Sequence, residues 1–538
     1  MAEEKKRSYL TGAAILATTV AITKVIGFFY KIPLYNLLGD EGTTHFQVIY
    51  TIYSLLLTIS TAGIPVAISR LVAESHALGR TAQKNRYFRM GLLVIVLVGV
   101  TGMAIMLLLP QQLADVMGDP EVAGGIRALA PAVLFACVIS VYRGYSQGHE
   151  NMLPTAISQI VEVLCKTIFG LSIAWYLARC GFGSATVATG AILGVTIGLG
   201  IAVPILMVYK RKTDRGERLP EATDTPLSRG GTVWNILRIC IPITLGSSVV
   251  NFITLIDTKL ILYRLQNGAG FDYEMAKVLY GVYSKAQTLF NFPSAFIVPV
   301  TVSVVPAISA ALARRNGREA KLVMESSMKL TNLFALPAGI GISVMAQPIF
   351  DVLYPNSNTN GPAVLMILGI ASYFVCTYLM TTAILQASGF EKMALIALPL
   401  GGVVKVLVNW FSVGNPSIHI LGGSIGNLTC FAFITVVSSA FILWKVEEPP
   451  NFIKILIKPL FCSGIMGAAA WALNGLFARY SPFAFAGARI SACLNMVVTI
   501  GVAVVVYVLL VLSTRTITKE DMRFVPKGEK LAKLLRMK

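Results

Sequence analysis

The stretch GLLVIVLVGVTGMAIMLLL, Gly91 to Leu109, runs nineteen residues without a charge. At ~1.5 Å rise per residue, a helix of that length covers nearly all of a ~30 Å hydrocarbon core. Lipid offers the backbone no hydrogen bonds, so such a segment must satisfy its own and reads as a membrane-crossing helix. Comparable runs recur from end to end. We place helices near 9–35, 44–73, 88–110, 124–147, 154–178, 184–209, 235–264, 279–312, 328–353, 361–388, 392–413, 419–444, 452–476 and 489–513. The chain has 538 residues, is 55% hydrophobic and 13% charged, and has a mean hydropathy of +0.71. No soluble globular domain sustains that composition over such a length. Strand alternation is absent, which argues against a barrel. The fold class is an all-α polytopic membrane protein with about fourteen transmembrane helices. The first helix carries Lys24 and Lys31 and lacks a small-residue cleavage site, so it reads as retained, not as a signal peptide.

The net charge of +19 invites a nucleic-acid reading, but the placement of the charges opposes it. Basic residues gather in alternate short connections: Arg80, Lys84, Arg86 and Arg89; then Lys210 to Arg229; then Arg314, Arg315, Arg318 and Lys321. The intervening connections, such as Gly39-Asp40-Glu41-Gly42, carry almost none. That is the positive-inside pattern of a bacterial cytoplasmic membrane protein with both termini in the cytoplasm. The eight cysteines form no CxxC pair and the four histidines show no metal spacing, so no metal or cofactor is expected.

The long polar connection 210–234 divides helices one to six (1–209) from helices seven to twelve (235–445). Helices thirteen and fourteen (446–513) and a basic tail (514–538) follow. A weak internal echo supports two halves. Tyr53-Ser54 and Ala67-Ile68-Ser69 reappear as Tyr283-Ser284 and Ala307-Ile308-Ser309, some 230–240 positions on. Pro65, Pro299 and Pro306 interrupt apolar runs, marking either hinges or static kinks.

Ionisable residues at hydrophobic depth are costly and mark function. Lys24 lies near mid-span, and Lys31 two turns on. Glu162 and Lys166 stand at i,i+4 with Gln159 on their face; Lys405 and Asn409 lie in the eleventh helix. Asp257, Lys285 and Asn291 occupy the seventh and eighth, and Arg70 and Arg143 approach cytoplasmic helix ends. Lys24, Lys166 and Lys405 outnumber the deep acids, which suits an anion such as a diphosphate. The plainer readings are a neutralised Glu162–Lys166 pair, snorkelling of Lys31, Lys259 and Arg264, and cytoplasmic anchoring by Arg70 and Arg143.

Thr23-Lys24-Val25-Ile26-Gly27-Phe28-Phe29-Tyr30-Lys31-Ile32-Pro33 and Ile59-Ser60-Thr61-Ala62-Gly63-Ile64-Pro65, with Tyr142-Arg143-Gly144-Tyr145-Ser146-Gln147-Gly148 and Leu385-Gln386-Ala387-Ser388-Gly389, carry a family resemblance. The chain resembles the SpoVB and MurJ-like polysaccharide flippases of Firmicutes, in the multidrug/oligosaccharidyl-lipid/polysaccharide exporter superfamily. The resemblance implies a V of two six-helix lobes plus two helices. It also implies export of an undecaprenyl-diphosphate-linked sugar, foremost lipid II, for peptidoglycan synthesis, and a possible place beside cell-wall synthesis proteins. Lys24 matches the first of the arginines that Gram-negative members carry in their first helices. The next Arg-Asp pair is Tyr30-Lys31 here, and Arg70 is a loose match. Lysine binds phosphate as a point charge and arginine bidentately, so the head would be held differently.

The implied mechanism is alternating access by a monomer, with a cationic cavity of Lys24, Lys166, Lys405, Arg70, Arg143 and Lys31 lined also by Gln159, Lys285, Asn291 and Asn409. Asp257 or Glu162 would bind a coupling Na⁺ or H⁺, or the membrane potential would reset the cavity. The rivals are a flippase for another polysaccharide lipid, a sporulation cortex flippase and a drug/cation antiporter. A membrane glycosyltransferase would need a long outer loop bearing a catalytic carboxylate, and none is present.

Overall fold

The computed structural model describes residues 2–216, 224–480 and 487–516. The tail beyond 516, with Lys519 and Arg523, and the centre of the long connection, with Arg218, lie outside the described residues. Among the described residues every regular element is helical. The structure divides into two compact units, Met1–Tyr263 and Arg264–Lys538.

The first unit holds α1 (Ala2–Thr61), α2 (Ile64–Ala77), α3 (Thr81–Leu108), the short α4 (Pro110–Met117), a 3₁₀ turn (Pro120–Val122), α5 (Ala123–Gly148), α6 (Leu153–Arg179), α7 (Ser184–Gly216) and most of α8 (Arg229–Asn267). Helix α8 was expected to open the second half, but up to Tyr263 it belongs to this unit. Asn251 shows how. Its Oδ1 accepts from Ser54 Oγ at 2.8 Å, and its Nδ2 donates to Thr58 Oγ1 at 2.9 Å, tying α8 to α1. Within the unit α6 lies along α7, and α5 packs on α7 and α3.

The second unit comprises α9 (Tyr273–Asn291), α10 (Ser294–Ala313), α11 (Gly317–Val344), α12 (Ala346–Leu353), α13 (Gly361–Ala387), α14 (Glu391–Val413), α15 (Leu421–Lys445), α16 (Phe452–Arg479) and α17 (Ala488–Ser513). Its centre is α13, covered by α15, α11, α10 and α9. The last two helices attach through α16 on α11, where Met345, Met466, Ala470 and Ala503 form a small apolar cluster. Tyr507 Oη also donates to the Leu333 carbonyl at 2.7 Å. Trp471, Val505 and Leu509 stay exposed, as lipid-facing side chains do.

Twelve helices among the described residues are long and apolar enough to cross a bilayer, or thirteen if the bent pair α11 and α12 forms one span. Fourteen were expected. The first of the twelve, Thr18–Ala77, holds both of the first two expected spans, which meet at the kink at Gly39. Gly39 adopts φ 70° and ψ −170°, a combination open essentially to glycine, so two helical segments of α1 meet there in a kink.

The breaks in the two units correspond. α1 ends at Thr61 and α2 starts at Ile64; α9 ends at Asn291 and α10 starts at Ser294, each boundary 230 positions later. The break before α2 is buried against α8. The Gly63 N–H donates to Thr244 Oγ1 at 3.2 Å, and a Cβ at Gly63 would come within 2.3 Å of the Cys240 carbonyl oxygen. Pro65 therefore sits at a real interruption. Pro299 and Pro306 lie inside the continuous α10, and the interruption in that unit falls at Pro293 instead.

Candidate functional site

Glycine contacts set the position of α6. A Cβ at Gly194 of α7 would lie 2.4 Å from the Gly170 nitrogen and 2.9 Å from the Lys166 carbonyl oxygen. One at Gly198 would lie 2.7 Å from the Glu162 carbonyl oxygen. The two backbones touch along this seam, so the long side chains of α6 must leave on other faces.

Glu162 leaves toward α5. Its Oε2 accepts from Arg143 Nη2 at 3.0 Å, while Arg143 Nε donates to Ser158 Oγ at 2.9 Å. The side chains are only 17% and 28% exposed. This corrects the expected i,i+4 pair: Glu162 bonds across helices to Arg143, not along its own helix to Lys166. It also revises Arg143, which braces α5 to α6 instead of serving simply as a cytoplasmic anchor. The sequence hint was present in the short connection between α5 and α6, which brings their near ends together.

Lys166 has no carboxylate partner among the described residues. Its Nζ lies over the Tyr30 ring of α1, 5.6 Å from the centroid. Such a contact is worth roughly 0.5–2 kcal/mol and does not neutralise the charge. Lys31 lies 5.8 Å from the Tyr35 centroid. Lys24 is exposed on α1 and has neither hydrogen bond nor ion pair among the described residues. Arg70 is exposed on α2, and Gln159 carries a buried Oε1 with no hydrogen-bond partner. Asp257 is 4% exposed in α8.

The second unit holds the remaining residues singled out in the sequence. Lys405 and Asn409 are buried on α14, and Asn409 Oδ1 faces Gly426 so closely that a Cβ there would come within 1.8 Å. Lys285 is buried and its Nζ lies 3.5 Å from Ser357 Oγ and 5.4 Å from the Tyr354 centroid, at the α12–α13 connection. Asn291 is exposed and donates to the Gln287 carbonyl of its own helix at 2.9 Å. Arg264, expected to snorkel, packs on Trp410: its Nε donates to the Trp410 carbonyl at 2.9 Å and its guanidinium lies 4.6 Å from the ring centroid.

The membrane helices, their paired breaks and the polar residues set between them agree with a match of residues 9–312 to the family described as polysaccharide biosynthesis protein. The chain belongs to the polysaccharide biosynthesis protein family. Among its relatives are a membrane protein of Bacillus subtilis called YabM, 28% identical over 98% of this chain and 96% of that protein. The lipid II flippase MurJ of the same organism is 25% identical over 88% of this chain and 90% of its own length. Among solved structures, a lipid II flippase MurJ in an inward closed conformation shares the fold, with a TM-score of 0.67 over 92% of this chain and 98% of that one at 14% identity. This family member is thus a multi-pass membrane protein that shares its fold with a solved flippase.

One further grouping escaped the sequence reading, which found no metal spacing for any histidine. The fold brings Glu41, His45 and Glu121 together with one donor atom of each within 4.8 Å of the others. The i,i+4 spacing of Glu41 and His45 was the available sign; Glu121, from a turn far along the chain, could not be paired with them by spacing.

Proposed function

We propose that this chain flips an undecaprenyl-diphosphate-linked sugar, lipid II foremost, from the cytoplasmic to the outer leaflet by alternating access. One observation carries the reading: with Glu162 bonded to Arg143, neither Lys24 nor Lys166 has a carboxylate partner among the described residues. Two ammonium groups on neighbouring helices are suited to a diphosphate. The family membership and the name of the MurJ relative support the same class of substrate.

In this reading both termini are cytoplasmic and the diphosphate head meets Lys24 and Lys166, with Lys31 and Arg70 guiding it. Arg143 and Glu162 hold α6 in place. The prenyl chain stays in lipid, because withdrawing it would forfeit roughly 0.8 kcal/mol per CH₂. Pro65 stands at a flexible break, and Asp257 is the candidate for a coupling Na⁺ or H⁺. The test is depletion of the protein in its own cells with lipid II quantified in each leaflet. Inner-leaflet accumulation of lipid II supports the reading. Unchanged lipid II with retention of a different glycolipid moves the substrate to that lipid.

A further inference from the structure

His45 is fully buried just beyond the break at Gly39. Its Nδ1 lies 2.6 Å from Oδ2 of Asp119, whose side chain is also fully buried. A proton on Nδ1 satisfies that contact and leaves the Nε2 lone pair pointing the other way. Nε2 has no hydrogen-bond partner among the described residues. It faces Glu121 Oε2 at 3.3 Å and Glu41 Oε1 at 3.6 Å.

We propose that Glu41, His45 and Glu121 bind a divalent transition-metal ion of zinc-like preference, clasping the α1 break to the 3₁₀ turn Pro120–Val122. Ligand atoms ~2.0–2.2 Å from a tetrahedral zinc stand roughly 3.3–3.6 Å from each other, which matches both distances from Nε2. Metal-bound imidazoles almost always give their other N–H to a carboxylate or carbonyl, and Asp119 fills that position. One imidazole nitrogen with two carboxylate oxygens favours zinc over magnesium or calcium, which prefer all-oxygen shells. Glu41 and Glu121 are 33% and 48% exposed, so an ion has a way in and room for water as a fourth ligand. Glu41 and His45 come from α1 and Glu121 from a turn some eighty positions later. An ion there would fasten these two elements to each other. The inference stands independently of the transported substrate.

The test uses the full chain, free of any affinity tag, stripped with a chelator in detergent and titrated with zinc, with magnesium as control. Zinc should raise the unfolding temperature and saturate at one ion per chain, magnesium should not, and cobalt should give the visible absorption of a tetrahedral site. Glu41→Gln and Glu121→Gln, at partly exposed positions, should fold and weaken zinc binding at least ~10-fold each. An unfolding temperature indifferent to zinc overturns the proposal, as does zinc binding unchanged in the Glu41→Gln/Glu121→Gln double variant. Stabilisation by acid alone, with no response to zinc, assigns the cluster to a proton and overturns it equally.

Discussion

Arg143 on α5 donates to Glu162 on α6 at 3.0 Å, and that bond removes the one acid placed to neutralise Lys166 along its own helix. The same bond therefore has two effects: it braces two helices and leaves a cation at membrane depth. Removing either partner strands the other charge in a half-buried site, at a cost on the order of 3 kcal/mol. Glu162→Gln and Arg143→Gln should each lower the unfolding temperature clearly, and the double variant should lose less than the sum. A thermal double-mutant cycle should give a coupling of roughly 1–3 kcal/mol.

Tyr30 offers a cleaner perturbation of Lys166. Its hydroxyl is buried without a hydrogen-bond partner, whereas its ring meets the ammonium. Tyr30→Phe should therefore keep stability within ~0.5 kcal/mol, and Tyr30→Leu should lose about 1 kcal/mol or more through the missing ring contact. Chemical unfolding of the two variants distinguishes them.

The α6–α7 seam should reject a methyl group. Gly194→Ala meets Gly170 backbone at 2.4 Å and 2.5 Å, where no side chain can swing aside, so it should cost about 1–3 kcal/mol and displace Glu162 and Lys166 together. Gly501→Ala, on a face of α17 with nothing within 4 Å, should be neutral. Thermal stability and transport measured side by side should fall together at Gly194 and stay level at Gly501.

The end of the long connection has a pH-dependent anchor. Asp224 accepts from the backbone N–H groups of Ala82 and Gln83, both at 2.9 Å, at the start of α3. Desolvation pulls its carboxyl upward, but these donors, helped by Arg80, outweigh it and hold the carboxyl below its usual range. A depressed folded value means the anchor is complete above the ordinary carboxylate value of about 4 and is lost as pH falls through the folded value. The protection factors of the Ala82 and Gln83 amides, measured against the intrinsic exchange rate at each pH, should fall on acidification below about pH 4, and Asp224→Ala should show the low protection already at neutral pH.

Charge-free runs such as Gly91–Leu109 made the membrane helices legible, because the bilayer imposes one length and one hydrogen-bond solution. The echo of Tyr53-Ser54 in Tyr283-Ser284 has the same 230-position offset as the paired helix breaks, although a proline in the sequence could not say which break was real: Pro65 adjoins one, Pro299 does not. The site was legible only as a set of residue types. Which acid meets which base depends on how α5, α6 and α7 pack, and that is decided by glycines whose role is to be small. Spacing along one helix favoured Lys166 for Glu162; proximity across the α5–α6 turn selected Arg143. His45 stayed hidden because its partners come from a turn distant in sequence.

The most direct test of the unneutralised lysines is the affinity of the purified chain, in lipid nanodiscs, for an undecaprenyl-diphosphate-linked sugar. Lys24→Gln and Lys166→Gln should each weaken binding at least ~10-fold with the unfolding temperature unchanged, and the double variant should bind no better than empty nanodiscs. Wild-type affinity in the folded double variant would contradict the account.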